Sequence, residues 1–308
     1  RAMRMIGDMP FAIDRFTMPE LSTPGFPLEV MKAAAIKQRS PAPDHLPPWI
    51  NRYRAWIAVD PARARDALPP SANYQRGHGV DMEAIRLFIA ADIAGVMGDW
   101  ATVDSTLATL RTRNWRDPTR VESVAAFWQA VQGRYAEAGA SLAQAGPIPE
   151  VMIPPAMGMD AIYGLMETAQ VRIHRATGRE AEASRLAAEL LGRFRAERAA
   201  VGQGCTVERR RYDGWMRHAS LAANEGLKDE AVDALRGALR CGELPPSFLP
   251  QLPWFSALDG YAPYEALKRE REARIARMRP ELLRIEAEAG FAQDTSARGS
   301  SARTPRLP

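Results

Sequence analysis

Four glycines in this chain each stand at the same distance from a fixed set of small and aliphatic residues, and that shared register limits the fold more than any other feature. The four stretches are Gly98-Asp99-Trp100-Ala101, Gly133-Arg134-Tyr135-Ala136-Glu137-Ala138, Gly178-Arg179-Glu180-Ala181-Glu182-Ala183 and Gly226-Leu227-Lys228-Asp229-Glu230-Ala231. Five residues after each glycine lie Val103, Ala138, Ala183 and Ala231, and nine after lie Leu107, Leu142, Ala187 and Leu235. Seven before it lie Ala91, Ala126, Val171 and Ala219. Glycine punctuates a helical pattern and turns the chain. Small residues then recur where two helices must approach closely, and larger aliphatics where a hairpin grips its neighbour. The register predicts four helical hairpins, each unable to bury its apolar flank without the next.

Hydrophobic period and proline placement extend this reading along the chain. Residues 1–26 read as an irregular lead-in, with a short helix from Leu28 to Lys37 after Pro27. Ser40-Pro41-Ala42-Pro43 and Pro47-Pro48 form a linker, because the residue before a proline avoids the helical region. Trp49, Tyr53, Trp56 and Ile57 return at helical spacing, and Pro61 opens a further helix to Leu68. The hairpins pair 81–97 with 103–110, 121–131 with 138–145, 161–176 with 181–198, and 211–225 with 230–241. Tyr264 to Ala289 is a long charged helix that Pro280 should kink or split. The expected divisions are a lead-in over 1–47, a helical array over 48–242, a proline-rich connection and charged helix over 243–291, and a disordered tail over 292–308.

The pattern resembles the tetratricopeptide repeat: a small residue in the first helix, Gly then an aromatic at the turn, Ala early in the second helix, and a larger residue four beyond. The second hairpin carries all of it in Ala126, Gly133, Tyr135, Ala138 and Leu142. The turn aromatic is Trp100 in the first hairpin but is replaced by Glu180 and Lys228 in the third and fourth. The glycines are 35, 45 and 48 residues apart, against about 34 in the standard repeat. The resemblance implies an all-α solenoid over Asp81 to Gly242. A second stretch, Leu252-Pro253-Trp254-Phe255-Ser256-Ala257-Leu258-Asp259-Gly260-Tyr261-Ala262-Pro263-Tyr264-Glu265-Ala266-Leu267, precedes a basic and acidic helix. It is similar to the end of such arrays in bacterial membrane-linked transcriptional regulators and adenylate cyclases. The winged-helix or cyclase domain of those proteins is not in this sequence, so their activities are not carried over. The resemblance implies a protein-interaction, sensing or assembly module from a larger bacterial regulator, and Arg1 in place of Met suggests further chain upstream.

Composition adds exclusions. With 46% hydrophobic and 25% charged residues in 308, most of the chain should fold. Lys occurs only at 32, 37, 228 and 268, so nearly all of the 41 basic residues are Arg. That bias suits a GC-rich bacterial genome better than a nucleic-acid surface. Cys205 and Cys241 form neither a CxxC pair nor a disulfide framework. No run reaches the 18 or more apolar residues of a membrane span, and the cytoplasm is favoured, with the periplasm open if a span lies upstream. His45, His78, His174 and His218 lack HExxH or paired spacing, and phosphate-cradling glycine motifs are absent, so no catalytic, cofactor or metal residue is assigned. Arg76-Gly77-His78-Gly79 reads as a helix lead-in.

A stacked array offers an inner groove lined by first helices. Arg86, Gln129, Arg172, His174, Arg217, His218 and Asn224 are the candidate partner-binding residues there, with Asp92 and Gln170 as further polar positions. The partner expected is a protein or peptide. Self-association through the charged C-terminal helix is an alternative, and the irregular spacing disfavours nucleic acid. Arg193, Arg195, Arg198, Arg209, Arg210 and Arg211 form the densest basic cluster, read as a solvated face with Glu197 and Glu208 or as a site for an acidic group. The Met-rich loop 151–159 could adapt to a partner. The competing readings are a helical enzyme with its site in the groove and a helical-repeat nucleic-acid binder.

Overall fold

The computed structural model is all-α and describes residues 26–39, 48–70, 75–76, 80–113, 118–146, 160–201, 214–240 and 252–291. Among them lie α1 (Phe26–Arg39), α2 (Pro48–Ile57), α3 (Pro61–Asp66), α4 (Met82–Val96), α5 (Trp100–Thr112) and α6 (Pro118–Val131). The order continues with α7 (Tyr135–Ala145), α8 (Asp160–Ala176), α9 (Glu180–Val201), α10 (Gly214–Asn224), α11 (Lys228–Arg240) and α12 (Ala262–Glu288). A 3-10 turn, Ser256–Leu258, precedes α12. The one extended feature among these residues is an antiparallel pair of two residues each, Gln75–Arg76 with Val80–Asp81. It brackets the stretch read as a helix lead-in, and Asp81 then caps α4 by accepting the Ala84 amide at 3.0 Å. The linker from Ser40 to Pro47, His45, His78, the Met-rich loop 151–159, Cys205, Arg209 to Arg211, Cys241 and the tail 292–308 lie outside the described residues.

Consecutive helices pack as pairs, α4 on α5, α6 on α7, α8 on α9 and α10 on α11, and α8 also packs on α6 and on α10. Each pair turns at its glycine, with φ of 74° at Gly98, 76° at Gly133, 81° at Gly178 and 73° at Gly226, a conformation other residues adopt only with strain. The closing bonds are the same four times. The amide after the glycine reaches back across the last helical turn, Asp99 to the Ala94 carbonyl at 2.8 Å, Arg134 to Gln129 at 2.9 Å, Arg179 to His174 at 2.8 Å and Leu227 to Ala222 at 2.8 Å. The residue five beyond the glycine donates the second helix's first bond: Val103, Ala138, Ala183 and Ala231. All four are fully buried, as are Ala91, Ala126, Val171 and Ala219 on the first helices. The small side chains therefore stand at the close approaches that the register predicts.

Two further close approaches use glycine inside a helix. A Cβ at Gly95 would fall 2.5 Å from the ring of Trp128, and one at Gly237 would fall 2.3 Å from that of Trp215. An indole lies directly on backbone in both places.

α12 joins early and late described helices. α12 packs on α11 and on α1. Near its start Tyr261 hydrogen-bonds Asp229, and Arg274 Nη1 donates to the Leu239 carbonyl at 2.7 Å. Three residues away on α12, Arg271 Nη2 donates to the Ala58 carbonyl, past the end of α2, at 2.6 Å. Burial lowers the Arg271 pKa to about 10. Farther along, Arg279 pairs with Asp60 at 2.5 Å. Glu286 accepts from Arg52 Nε at 2.6 Å, Trp56 Nε1 at 3.2 Å and Arg63 Nη1 at 2.7 Å. α12 runs unbroken through Pro280 instead of splitting there.

Candidate functional site

The expected partner-binding residues separate into distinct environments. Arg86 folds back on its own helix and grips Glu83 with bonds of 2.8 and 2.5 Å. Gln129 is buried, and the amide orientation that satisfies both of its ends directs the nitrogen to the Ala125 and Glu137 carbonyls and the Ser141 hydroxyl, within its own hairpin. His174 is buried toward α9, with Nε2 3.7 Å from Glu182. Burial first, then Arg179, lowers its pKa, so it is neutral at pH 7.

Arg217 and His218 sit side by side on α10 but serve different contacts. Arg217 donates to Glu167 of α8, at 2.8 Å from Nε, and Glu167 also takes Arg193 of α9 at 2.7 Å. The guanidinium groups of Arg193 and Arg217 lie 5.4 and 5.1 Å from the centre of the Phe194 ring. His218 is fully buried, with Nε2 2.6 Å from Glu230 and Nδ1 3.4 Å from Arg198. Facing an arginine donor, Nδ1 must accept, so the proton is on Nε2 and the ring is neutral. Burial lowers the His218 pKa accordingly, while Arg195, hydrogen-bonded at 2.7 and 2.8 Å, is the main reason Glu230 falls to about 2. Arg198 also pairs with Asp233. The described part of the basic cluster is thus spent on carboxylates of neighbouring helices.

Arg172 and Asn224 are brought together. Arg172 on α8 reaches across two hairpins, donating from Nε and Nη2 to the Tyr135 hydroxyl at 3.3 and 3.0 Å and from Nη1 to Asn224 Oδ1 at 3.3 Å. Its guanidinium lies 5.9 Å from the centre of the Tyr135 ring. Asn224 passes the chain on to Glu225 at 2.8 Å. Arg175, one turn along α8, holds both Glu225 oxygens at 3.1 and 3.2 Å and bonds Glu180 at 3.1 Å. A polar ladder therefore crosses three successive corners. Among the described residues, the partners of Arg172 are neutral oxygens, which position its charge without cancelling it. Tyr135, Arg175, Glu180 and Glu225 were not among the expected site residues, although each lies within three residues of a turn glycine.

The position of Arg172 on α8 has buried counterparts on the other first helices. Six residues before the four turn glycines stand Asp92, Phe127, Arg172 and Ser220; Arg172 is half-buried and the other three are buried. Phe127 meets Trp254 edge-on at 6.0 Å, and the 3-10 turn after it packs on α10. Asp92 is 1% exposed. Its Oδ1 accepts from Trp128 Nε1 at 3.4 Å, and its Oδ2 has no partner among the described residues. Burial raises its pKa well above the usual carboxylate range.

Among the described residues no group of three or more His, Cys, Asp or Glu side chains is placed to hold a metal ion, and no helix is long and apolar enough to cross a membrane. Comparison of the chain with protein-family models, with curated proteins and with solved structures finds no match.

Proposed function

We propose that the chain is a tetratricopeptide-like α-solenoid that acts as a protein-interaction module, the assembly or sensing part of a regulator. The observation that carries this reading is the ladder at the corners. Among the described residues Arg172 is pinned by the neutral partners Tyr135 and Asn224, and it stands at the edge of helices that repeat in register. A half-buried, preorganised cation of this kind suits an acidic group on an extended segment of a partner, because little side-chain freedom remains to be lost on binding. Nucleic-acid binding is less favoured, since Arg193, Arg195 and Arg198 each face a carboxylate. The test is selection of peptides from a random library on the chain, followed by affinity measurement with Arg172→Gln. Loss of one charged hydrogen-bonding group should weaken the selected peptides by about tenfold to a hundredfold. Enrichment of no peptide, or affinities indifferent to Arg172→Gln in a folded variant, would sink the reading.

A further inference from the structure

The segment just before α12 is attached in the manner of a docked peptide. Its backbone bonds are local: Phe255 to the Leu252 carbonyl at 3.0 Å, Leu258 to Phe255 at 2.9 Å, Asp259 to Ser256 at 3.1 Å and Tyr261 to Leu258 at 2.9 Å. Ser256 Oγ closes back on the Pro253 carbonyl at 2.7 Å. Among the described residues no backbone hydrogen bond ties 252–258 to a helix of the array. Side chains hold it instead, since Leu252, Trp254, Phe255 and Leu258 are all buried and Trp254 lies against Phe127 of α6. The fit is incomplete. Trp254 Nε1 is buried with no acceptor among the described residues. Buried polar atoms left unpaired weaken the contact that buries them.

We propose that Leu252–Leu258 is a built-in occupant of a recognition surface on the first helices, and that this surface accepts in its place a partner segment of the same class, a short turn bearing an aromatic pair followed three residues later by leucine. Binding of such a partner is then gated by release of the chain's own segment. The proposal rests on reading the array as an interaction module, and it adds a second, apolar recognition surface to the cationic edge at Arg172.

The probe is a labelled peptide of residues 251–260, added to the full-length chain and to its Trp254→Ala, Phe255→Ala double variant. The double variant should bind the peptide at least about tenfold more tightly than the intact chain, whose surface is filled. Hydrogen exchange on the unaltered chain supplies the second arm: amides of 255–258 should exchange through local opening that leaves α6 and α10 protected. A helical double variant that ignores the peptide overturns the proposal. So does exchange of 255–258 only together with α6 and α10, and this measurement alone decides the matter if the double variant does not fold. Peptides that depend on Arg172, measured on the same samples, separate the two ideas. Their retention without binding of the 251–260 peptide removes the built-in occupant and leaves the interaction module standing.

Discussion

Replacing Glu286 by alanine should destabilise the protein by about 3–5 kcal/mol, the cost of breaking a buried ion pair by removing one partner. Glu286 is 3% exposed and accepts from Arg52, Trp56 and Arg63. The three donors do not count equally. The Arg63 side chain is 40% exposed and can turn to water, so its share is under about 1 kcal/mol. The Arg52 side chain is 11% exposed and already lies 5.4 Å from the centre of the Phe291 ring, so its charge would be left in a largely apolar setting. The buried Trp56 indole would lose its acceptor as well. In thermal unfolding the loss corresponds to roughly 6–20 °C for a chain of this size. Because parts of a structure can open separately, hydrogen exchange should locate the loss, with residues 278–288 of α12 deprotected and α8 to α11 unchanged. Arg63→Ala is the control and should cost under about 1 kcal/mol. If Glu286→Ala and Arg63→Ala unfold alike, burial does not set the strength of this cluster and the reasoning fails.

Three other outcomes follow from the packing and the charges. Ala138→Arg places a long cation at a fully buried helix contact and should cost at least about 1–3 kcal/mol from overpacking alone; a melting curve equal to the parent's would refute the close approach. Gly95→Ala should destabilise by a similar about 1–3 kcal/mol, because its Cβ meets Trp128. Gly192→Ala, with nothing near its Cβ, should stabilise by about 0.5–1 kcal/mol through helix propensity, so urea midpoints should move in opposite directions. Asp92 has a raised pKa in the folded state, so the folded chain holds a proton that the unfolded chain releases. Stability is then greatest below the unfolded carboxylate's pKa of about 4 and falls as pH rises toward the folded value. Asp92→Asn should remove that slope, with unfolding midpoints closest to the parent's at pH 4 and above the parent's at pH 8; a gap independent of pH would contradict the assignment.

The hairpins were legible because their determinants are local. A glycine at each corner and small residues five after and seven before it act within one turn of helix, and the same closing bonds recur at Gly98, Gly133, Gly178 and Gly226. The candidate site was legible only in part. Arg172 and Asn224 are flagged by their place on first helices, but their partner Tyr135 is 37 residues from Arg172, and no local pattern announces that contact. His174, His218 and Gln129 are expected in the inner groove from their place on first helices and their polarity. His218 and Gln129 find partners on the adjacent helix of their own hairpins, and His174 is buried with Nε2 3.7 Å from Glu182.

Closure by α12 shows why the remainder resists a reading by periodicity. The three donors that meet Glu286 come from 223 to 234 residues earlier. Within α12, Glu286 sits in a charged helix that reads as solvated because Arg284 pairs with Glu281 and Glu288 at ordinary helical spacing. A carboxylate two positions along from Arg284 has the same local signature whether it faces water or two arginines and an indole. The difference lies in which distant helices are brought against it: α12 packs on α1, and Arg52 and Trp56 of α2 and Arg63 of α3 reach Glu286. The buried Glu286 cluster therefore ties α12 to α2 and α3 across most of the chain's length, a contact that no local pattern announces.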